Sequence, residues 1–210
     1  MTDWTTLSAF ATGAGTLVLA AATFSSVRSS NRSARIAEHA LLASLRPFLV
    51  HGRIDDPVEK ITWSDEHMAA VGNGRCVVDV GDDDVIYLAV PVRNAGAGLG
   101  VIQGWIVHPD PMVGLQDQPA LDDFVRQGRD LYIAGGDSGF WQCGLREDDE
   151  LRQAMRKVID ARNRFAVSVL YSDSEGGQRT ISRFGVGPKG PDTWIASVTR
   201  HWNIDRDDPR

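Results

Sequence analysis

An uncharged run over residues 4–27 is the first feature of the hydrophobic pattern, and it reads WTTLSAFATGAGTLVLAAATFSSV. As a helix it would be about 36 Å long at 1.5 Å per residue, and a bilayer core is about 30 Å thick. The pattern therefore predicts a transmembrane helix within residues 1–27. A cleaved signal peptide would need a basic start, whereas the chain starts Met-Thr-Asp. A buried helix of a soluble domain rarely stays uncharged for so long.

A basic amphipathic pattern follows over residues 28–45. Arg28, Arg32 and Arg35 recur at spacings of four and three residues, so they share one face of a helix. This pattern predicts a juxtamembrane helix that either continues from the membrane helix or restarts after it. The three arginines are the predicted contacts with anionic lipid headgroups, each contributing about 1 kcal/mol near the surface. A plain stop-transfer signal would use the same residues.

Short apolar runs, separated by Gly, Asp and Pro, make up most of the remaining chain. Their β-branched and aromatic residues are typical of antiparallel strands. The predicted strands cover residues 47–51, 75–80, 85–94, 100–108, 130–134, 139–144, 165–172, 179–186 and 194–202. The fold class that this spacing predicts is mainly β, an immunoglobulin-like antiparallel β-sandwich over residues 46–204, followed by a tail over residues 205–210.

One or two short helices are expected to interrupt the strands. The segment 149–162 places its apolar residues on one face, and Asp148 or Asp149 would cap its first turn. A weaker helical pattern covers residues 119–127.

Charge is distributed unevenly between these segments. Residues 25–53 carry five Arg against one Glu, whereas residues 54–210 carry 17 basic and 26 acidic residues. The β domain is therefore acidic, which argues against nucleic acid as a partner, since nucleic-acid binding needs a basic surface. Cys76 and Cys143 fit free buried thiols in a reducing compartment, although two cysteines could also form one disulfide outside the cell.

A Gly-Asp-Ser-Gly motif at residues 136–139 is the most conspicuous candidate for catalysis. A serine nucleophile needs a base and a group that orients this base. Trypsin-like enzymes need two β-barrels, for which the domain is too short. The elbow motif of the α/β-hydrolases needs a helix after the serine, whereas Phe140-Trp141-Gln142 continues as a strand. The motif is therefore interpreted as a turn between two strands.

Other candidate sites receive structural interpretations as well. The glycine-rich segment 94–100 leads into a strand rather than a helix, so it lacks the helix N-terminus that phosphate binding requires. Asp82–Asp84 and Asp173–Gly177 lack the ligand spacing of a calcium loop, and the cysteines and histidines lack that of zinc. These observations predict no metal and no cofactor. The five tryptophans after residue 27 are expected to be mostly buried, with a functional aromatic patch as the alternative.

The chain resembles a set of uncharacterised actinobacterial single-pass membrane proteins with an immunoglobulin-like β domain. The matching stretches are RPFLV (46–50), IDDPVEK (54–60), VRNAGAGLG (92–100), LYIAGGDSGFW (131–141), YSDSEGGQRTISRF (171–184) and RHWNIDR (200–206). This resemblance implies a membrane anchor and a β domain, and it carries over no catalytic residue. The segment Asn94-Ala95-Gly96 is also similar to bacterial adhesion-related immunoglobulin-like domains, which would imply an extracellular domain.

The predicted function is that of a membrane-anchored, non-enzymatic interaction or scaffold module. Arginines follow the apolar run and none precedes it, so the positive-inside rule predicts an outer N-terminus and a cytoplasmic β domain in the cell membrane. The expected partners are the lipid bilayer and another protein. The small residues Ala9, Gly13 and Gly15 would also allow two membrane helices to form a homo-oligomer.

Two other functions are kept as alternatives. One is a membrane-associated hydrolase built on a β-sandwich, in which Ser138, Asp137 and His201 would be the candidate groups. The other is an extracellular domain that binds a ligand or resembles an adhesin.

Overall fold

The chain consists of a helical unit that ends at Ser44 and a β unit that begins at Leu45. A computed structural model describes residues 3–147 and 149–208. The helical unit is a single α-helix, α1, from Trp4 to Ser44. The predicted membrane and juxtamembrane helices are therefore continuous, over about 62 Å at 1.5 Å per residue. By length and composition, the part of α1 from Ser8 to Ser44 is long and apolar enough to cross a membrane.

The β unit contains twelve strands among its described residues. They are β1 (Leu49–His51), β2 (Glu59–Thr62), β3 (Met68–Val71), β4 (Arg75–Val80), β5 (Ile86–Asn94), β6 (Gly100–His108), β7 (Val125–Arg126), β8 (Tyr132–Ile133), β9 (Ser138–Leu145), β10 (Phe165–Ser172), β11 (Thr180–Pro188) and β12 (Trp194–Asn203). A 3₁₀-helix covers Leu121–Asp123, and α2 covers Glu150–Asp160.

Ten of these strands form one antiparallel sheet in the order β1-β5-β4-β12-β11-β10-β6-β7. Strand β9 pairs with β5, and β8 pairs with β6, while β2 and β3 form a separate hairpin. Trp105 on β6 and Trp141 on β9 lie at opposite ends of this order, yet their ring centroids are 5.7 Å apart. The sheet therefore curves until its two ends face each other.

The mainly antiparallel β prediction is confirmed, whereas the immunoglobulin-like type stays a prediction. An immunoglobulin domain has two separate packed sheets. Here β12 pairs with β4 through Trp194 and Cys76, and this pairing joins the strands into one path.

The core lies inside the curved sheet. Along β5 the alternate residues Ile86, Leu88, Val90 and Val92 point into it, where they join residues of β6, β9, β10 and β11. Tyr87, on the other face of β5, packs beneath the β2–β3 hairpin. Both faces of β5 are covered, which explains why its sequence is an almost unbroken apolar run.

Two local features of the structure differ from the expectation from the sequence. The pattern over residues 119–127 forms a 3₁₀ turn and the short strand β7 instead of a helix. The β2–β3 hairpin was not predicted, because its strands are only four residues long and carry few large apolar side chains. Of the predicted tail, residues 205–208 are tied to the β unit, since the backbone N–H of Asn203 donates to Asp208 Oδ1 at 2.6 Å.

Helix α2 follows the predicted amphipathic pattern closely. The Asp149 carboxylate caps its first turn by accepting the backbone N–H of Arg152 at 2.8 Å. The alternative cap, Asp148, lies outside the described residues. Met155 is fully buried in the core, and Leu151, Val158 and Ile159 pack against it.

Candidate functional site

The basic stripe of α1 consists of Arg28, Arg32 and Arg35, and all three side chains are exposed. They follow the apolar run on the same continuous helix. Phe24 and Val27, just before the stripe, are also exposed, by 71% and 53%. An exposed apolar surface that changes directly to a cationic one is the arrangement expected at the boundary between lipid tails and headgroups.

The candidate hydrolase residues are only partly brought together. The Asp137 carboxylate accepts the backbone N–H of Ser138 at 2.8 Å, and Gly136 has a φ of +77°. The motif is thus a turn that leads into β9, as the sequence predicts. His201 lies on β12, where its Nδ1 is 2.8 Å from the hydroxyl of Ser182 and not bonded to Ser138.

The Ser182 hydroxyl is the centre of a closed hydrogen-bond network. It lies 3.0 Å from the Leu49 carbonyl and 3.0 Å from the Tyr171 hydroxyl, which accepts the Leu49 N–H at 3.1 Å. Ser182 and Tyr171 are both buried, and burial raises the pKa of Tyr171 to about 12. Since the serine hydroxyl is occupied and shielded from solvent, the Ser182–His201 pair holds β1 in place and does not present a nucleophile.

The side chain of Asn94 is the second element that holds the start of the β unit. Its Oδ1 accepts the backbone N–H groups of Phe48 and Gly96, each at 3.0 Å. Its Nδ2 donates to the carbonyls of Gly98 at 2.7 Å and Ile133 at 3.1 Å. Asn94 is fully buried and all four of these hydrogen bonds are internal, so one amide joins the residue before β1, β8 and the turn after β5.

The glycines of the two candidate motifs permit close backbone contacts. A Cβ at Gly98 would overlap the carbonyl oxygen of Leu45, and a Cβ at Gly135 would overlap that of Ala97. The two glycine-rich turns therefore pack against each other and against residues 45–49, which we call the lead-in segment. Both turns are architectural, as the sequence predicts.

Arg46 fixes the lead-in segment from the other side. Its guanidinium donates to Thr180 Oγ1 at 3.1 Å and Asn203 Oδ1 at 3.3 Å, and it forms an ion pair with Asp205. Arg46 is only 9% exposed. The lead-in segment is thus held to the start of β11 and to the end of β12 with the residues that follow it.

A second Ser–His pair lies on the outer face of the sheet. His108 Nε2 is 3.0 Å from the hydroxyl of Ser168, which is fully buried. Burial, and to a lesser extent the charge of Arg183, lowers the pKa of His108 to about 4. The imidazole is neutral at physiological pH, and its serine partner is out of reach of a substrate, so this pair also serves the packing of the sheet.

A polar cluster around Tyr87 was not predicted from the sequence. The Tyr87 hydroxyl donates to Asp65 at 2.7 Å, Arg146 donates to the same carboxylate at 2.8 Å, and the His67 ring stacks on Tyr87 with centroids 3.8 Å apart. The Tyr87 hydrogen bond, aided by Arg146, lowers the pKa of Asp65 to about 2. Trp63 and His67, two large rings in the short hairpin 59–71, were the only available sequence cue.

The remaining candidates have structural roles. Cys76 and Cys143 are free and buried, and burial raises the pKa of both thiols. Trp63, Trp105, Trp141, Trp194 and Trp202 are all at most 9% exposed, so they form no aromatic surface patch. Within residues 3–147 and 149–208, no three His, Cys, Asp or Glu side chains converge as a metal site would require.

Comparisons with known proteins found no match to a family model, to a curated protein or to a solved structure. The resemblance to actinobacterial membrane proteins therefore stays a prediction.

Proposed function

We propose that this protein is a single-pass membrane protein that holds an acidic β unit at the cytoplasmic face of the cell membrane, where it acts as a non-enzymatic interaction module. The observation that carries the proposal is α1, in which an uncharged run passes without a break into a stripe of three arginines. An immunoglobulin-like sandwich remains the type proposed for the β unit.

The hydroxyl groups within the apolar run support a lipid environment. Thr12, Thr16 and Thr23 each donate to the backbone carbonyl four residues earlier, at 2.8 Å. A hydroxyl that is satisfied within its own helix costs less to place in hydrocarbon than one that needs an external partner. The run can therefore be surrounded by lipid despite its moderate hydrophobicity.

The distribution of Arg supports the orientation. Arg28, Arg32 and Arg35 follow the run, and the segment before it has Asp3 but neither Lys nor Arg. Loops rich in Lys and Arg remain in the cytoplasm. Together the arginines would contribute about 3 kcal/mol of attraction to an anionic leaflet.

The two Ser–His pairs support a non-enzymatic role. Ser182 and Ser168 are both fully buried, and each hydroxyl is bound to neighbouring strands. A nucleophile must reach its substrate, and these two serines are shielded from solvent.

Membrane fractionation of the full chain tests the anchor. Leu17→Asp combined with Leu19→Asp places two charges in the run, each costing about 2.5–3.5 kcal/mol at the centre of a membrane helix. We expect this variant to leave the carbonate-resistant membrane fraction. The matched control, Ile36→Asp with Leu41→Asp, puts the same charges on exposed positions beyond the run and should remain in that fraction. Equal behaviour of the two variants would contradict the proposal.

Protease protection tests the orientation and the role of the arginine stripe. Protease added to intact cells should leave the β unit whole, and permeabilised cells should lose it; digestion in intact cells would refute the cytoplasmic placement. Replacing Arg28, Arg32 and Arg35 by Ser should invert the orientation of a fraction of the molecules. In these molecules the β unit lies outside the cell and is digested by the added protease. Replacing the three arginines by Lys, which keeps the charge, should leave the orientation unchanged.

A further inference from the structure

The segment 109–124, which we call the acidic loop, is a long connection between strands of the β unit that contains no α-helix. It leaves β6 after His108 and ends just before β7. It contains four Asp and no Lys or Arg. Connections longer than about 12–15 residues without strands or α-helices are uncommon in compact domains and often have a function.

The C-terminal part of the acidic loop is packed onto the outer face of the sheet. Leu121 and Phe124 contact the buried cluster of Leu170, Ile181 and Trp202. A Cβ at Gly104 would approach the Val125 carbonyl to 2.9 Å, so the chain lies directly on β6 here. These contacts fix one end of the loop.

The N-terminal part of the loop is held by a buried arginine. Arg183 on β11 is fully buried, and its guanidinium donates to the carbonyls of Gly114 at 2.9 Å, Pro111 at 3.2 Å and Val113 at 2.5 Å. A charged group placed inside a protein needs such partners to offset its lost hydration. Arg183 therefore orders the backbone of residues 111–114 with its carbonyls turned inward.

The same backbone turns two apolar side chains outward. Met112 and Val113, which we call the loop tip, are 68% and 60% exposed. Asp110 caps the turn by accepting the Met112 N–H at 2.9 Å, and Gly114 has a φ of +62°. The loop tip is thus ordered before any partner arrives, and a preordered surface loses less entropy on binding than a flexible one.

We infer that the acidic loop is a docking site for a partner protein that presents an apolar pocket with a basic rim. Met112 and Val113 would fill the pocket, while Asp110 and Asp117 lie near them in the chain and would face the cationic rim. Charge complementarity selects this occupant, because the acidic loop carries only negative charge. The inference rests on the proposed interaction role of the β unit and not on the membrane anchor.

Site-specific crosslinking in cells that produce the full chain is the first test. A benzophenone amino acid at position 112 is compared with the same probe at Ile54, a loop residue of the β unit that is 73% exposed. We expect a discrete adduct with a second protein from position 112 and none of the same mass from position 54. An adduct with lipid, an adduct only with another copy of this chain, or identical products from both positions would overturn the inference.

The second test is a binding titration. The partner identified by crosslinking is purified in free form and titrated against the full chain. Met112→Asp with Val113→Asp should weaken binding about 100-fold, since two apolar anchors are replaced by charges. The control Ile54→Asp should change the affinity less than about two-fold, as expected for a residue outside the interface. Higher salt should weaken binding by the wild type, because a rim of opposite charges is screened.

A third variant separates order in the loop from contact with the partner. Gly114→Ala keeps the Met112 and Val113 side chains but disfavours the φ of +62° at position 114. It should therefore weaken binding, while the thermal unfolding of the β unit changes little. Binding that is unaffected by the double Asp variant would refute the docking site. A negative result in these binding tests would not alter the result of the membrane fractionation. The docking site and the membrane anchor are therefore tested independently.

Discussion

Replacing Asn94 by Ala tests the claim that one amide organises the start of the β unit. The side chain is fully buried, and it makes four hydrogen bonds to the backbone of Phe48, Gly96, Gly98 and Ile133. An internal hydrogen bond contributes about 0.5–1.5 kcal/mol net, and a buried group left without a partner costs more. Some relaxation of the turn is expected, so we predict a loss of about 3 kcal/mol in the free energy of unfolding.

Thermal unfolding of the full chain in detergent measures this loss. Five tryptophans of the β unit are buried, so their fluorescence reports its unfolding. For a unit of this size 1 kcal/mol corresponds to roughly 2–4 °C, and the midpoint should therefore fall by about 6–12 °C. Asn163→Ala is the matched control, because Asn163 is exposed, and it should shift the midpoint by less than about 2 °C.

Asn94→Asp tests whether the amide group itself is required, or only a side chain of the same shape. Aspartate keeps the oxygen that accepts from Phe48 and Gly96 but places a carboxylate against the carbonyls of Gly98 and Ile133. It should therefore destabilise at least as much as alanine. A midpoint within 2 °C of the wild type for either Asn94 variant would refute the reasoning.

Three further predictions concern other parts of the β unit. Gly98→Ala should destabilise the β unit by several degrees because its Cβ would overlap the Leu45 carbonyl, whereas Gly128→Ala, which meets no atom within 4 Å, should not; equal midpoints would contradict this. Cys76 and Cys143 should react with a maleimide only after denaturation, since burial raises the pKa of both thiols, and fast labelling of the native chain would show that they are accessible. The free energy of unfolding should fall as the pH drops from about 6.5 to about 4. In this range His108 is protonated in the unfolded chain but stays neutral in the native protein, where its pKa is about 4. His108→Gln should flatten this part of the pH profile, and an unchanged slope would refute the assignment.

The elements whose residues interact with near neighbours along the chain could be predicted before the structure was known. Alternation and β-branched residues predicted β4 and β6 to the residue, and the apolar periodicity with an acidic cap predicted α2. The uncharged run and the three arginines predicted that α1 begins as an apolar helix and continues as a basic one. The absence of a helix after Gly136-Asp137-Ser138-Gly139 was enough to identify this motif as a turn. All of these inferences depend on contacts within a few residues along the chain.

Contacts between residues far apart in the chain depend on how the strands pair and could not be predicted. His201 binds Ser182 and not Ser138, and Ser182 also holds Leu49, which is 133 residues away. The buried role of Arg183 depends on how the acidic loop folds back over β11, and nothing in the local pattern marks it as different from a surface arginine. Such partners are set by strand register and by the curvature that brings β6 to β9. A single-residue change in register would turn every one of these side chains to the opposite face of the sheet.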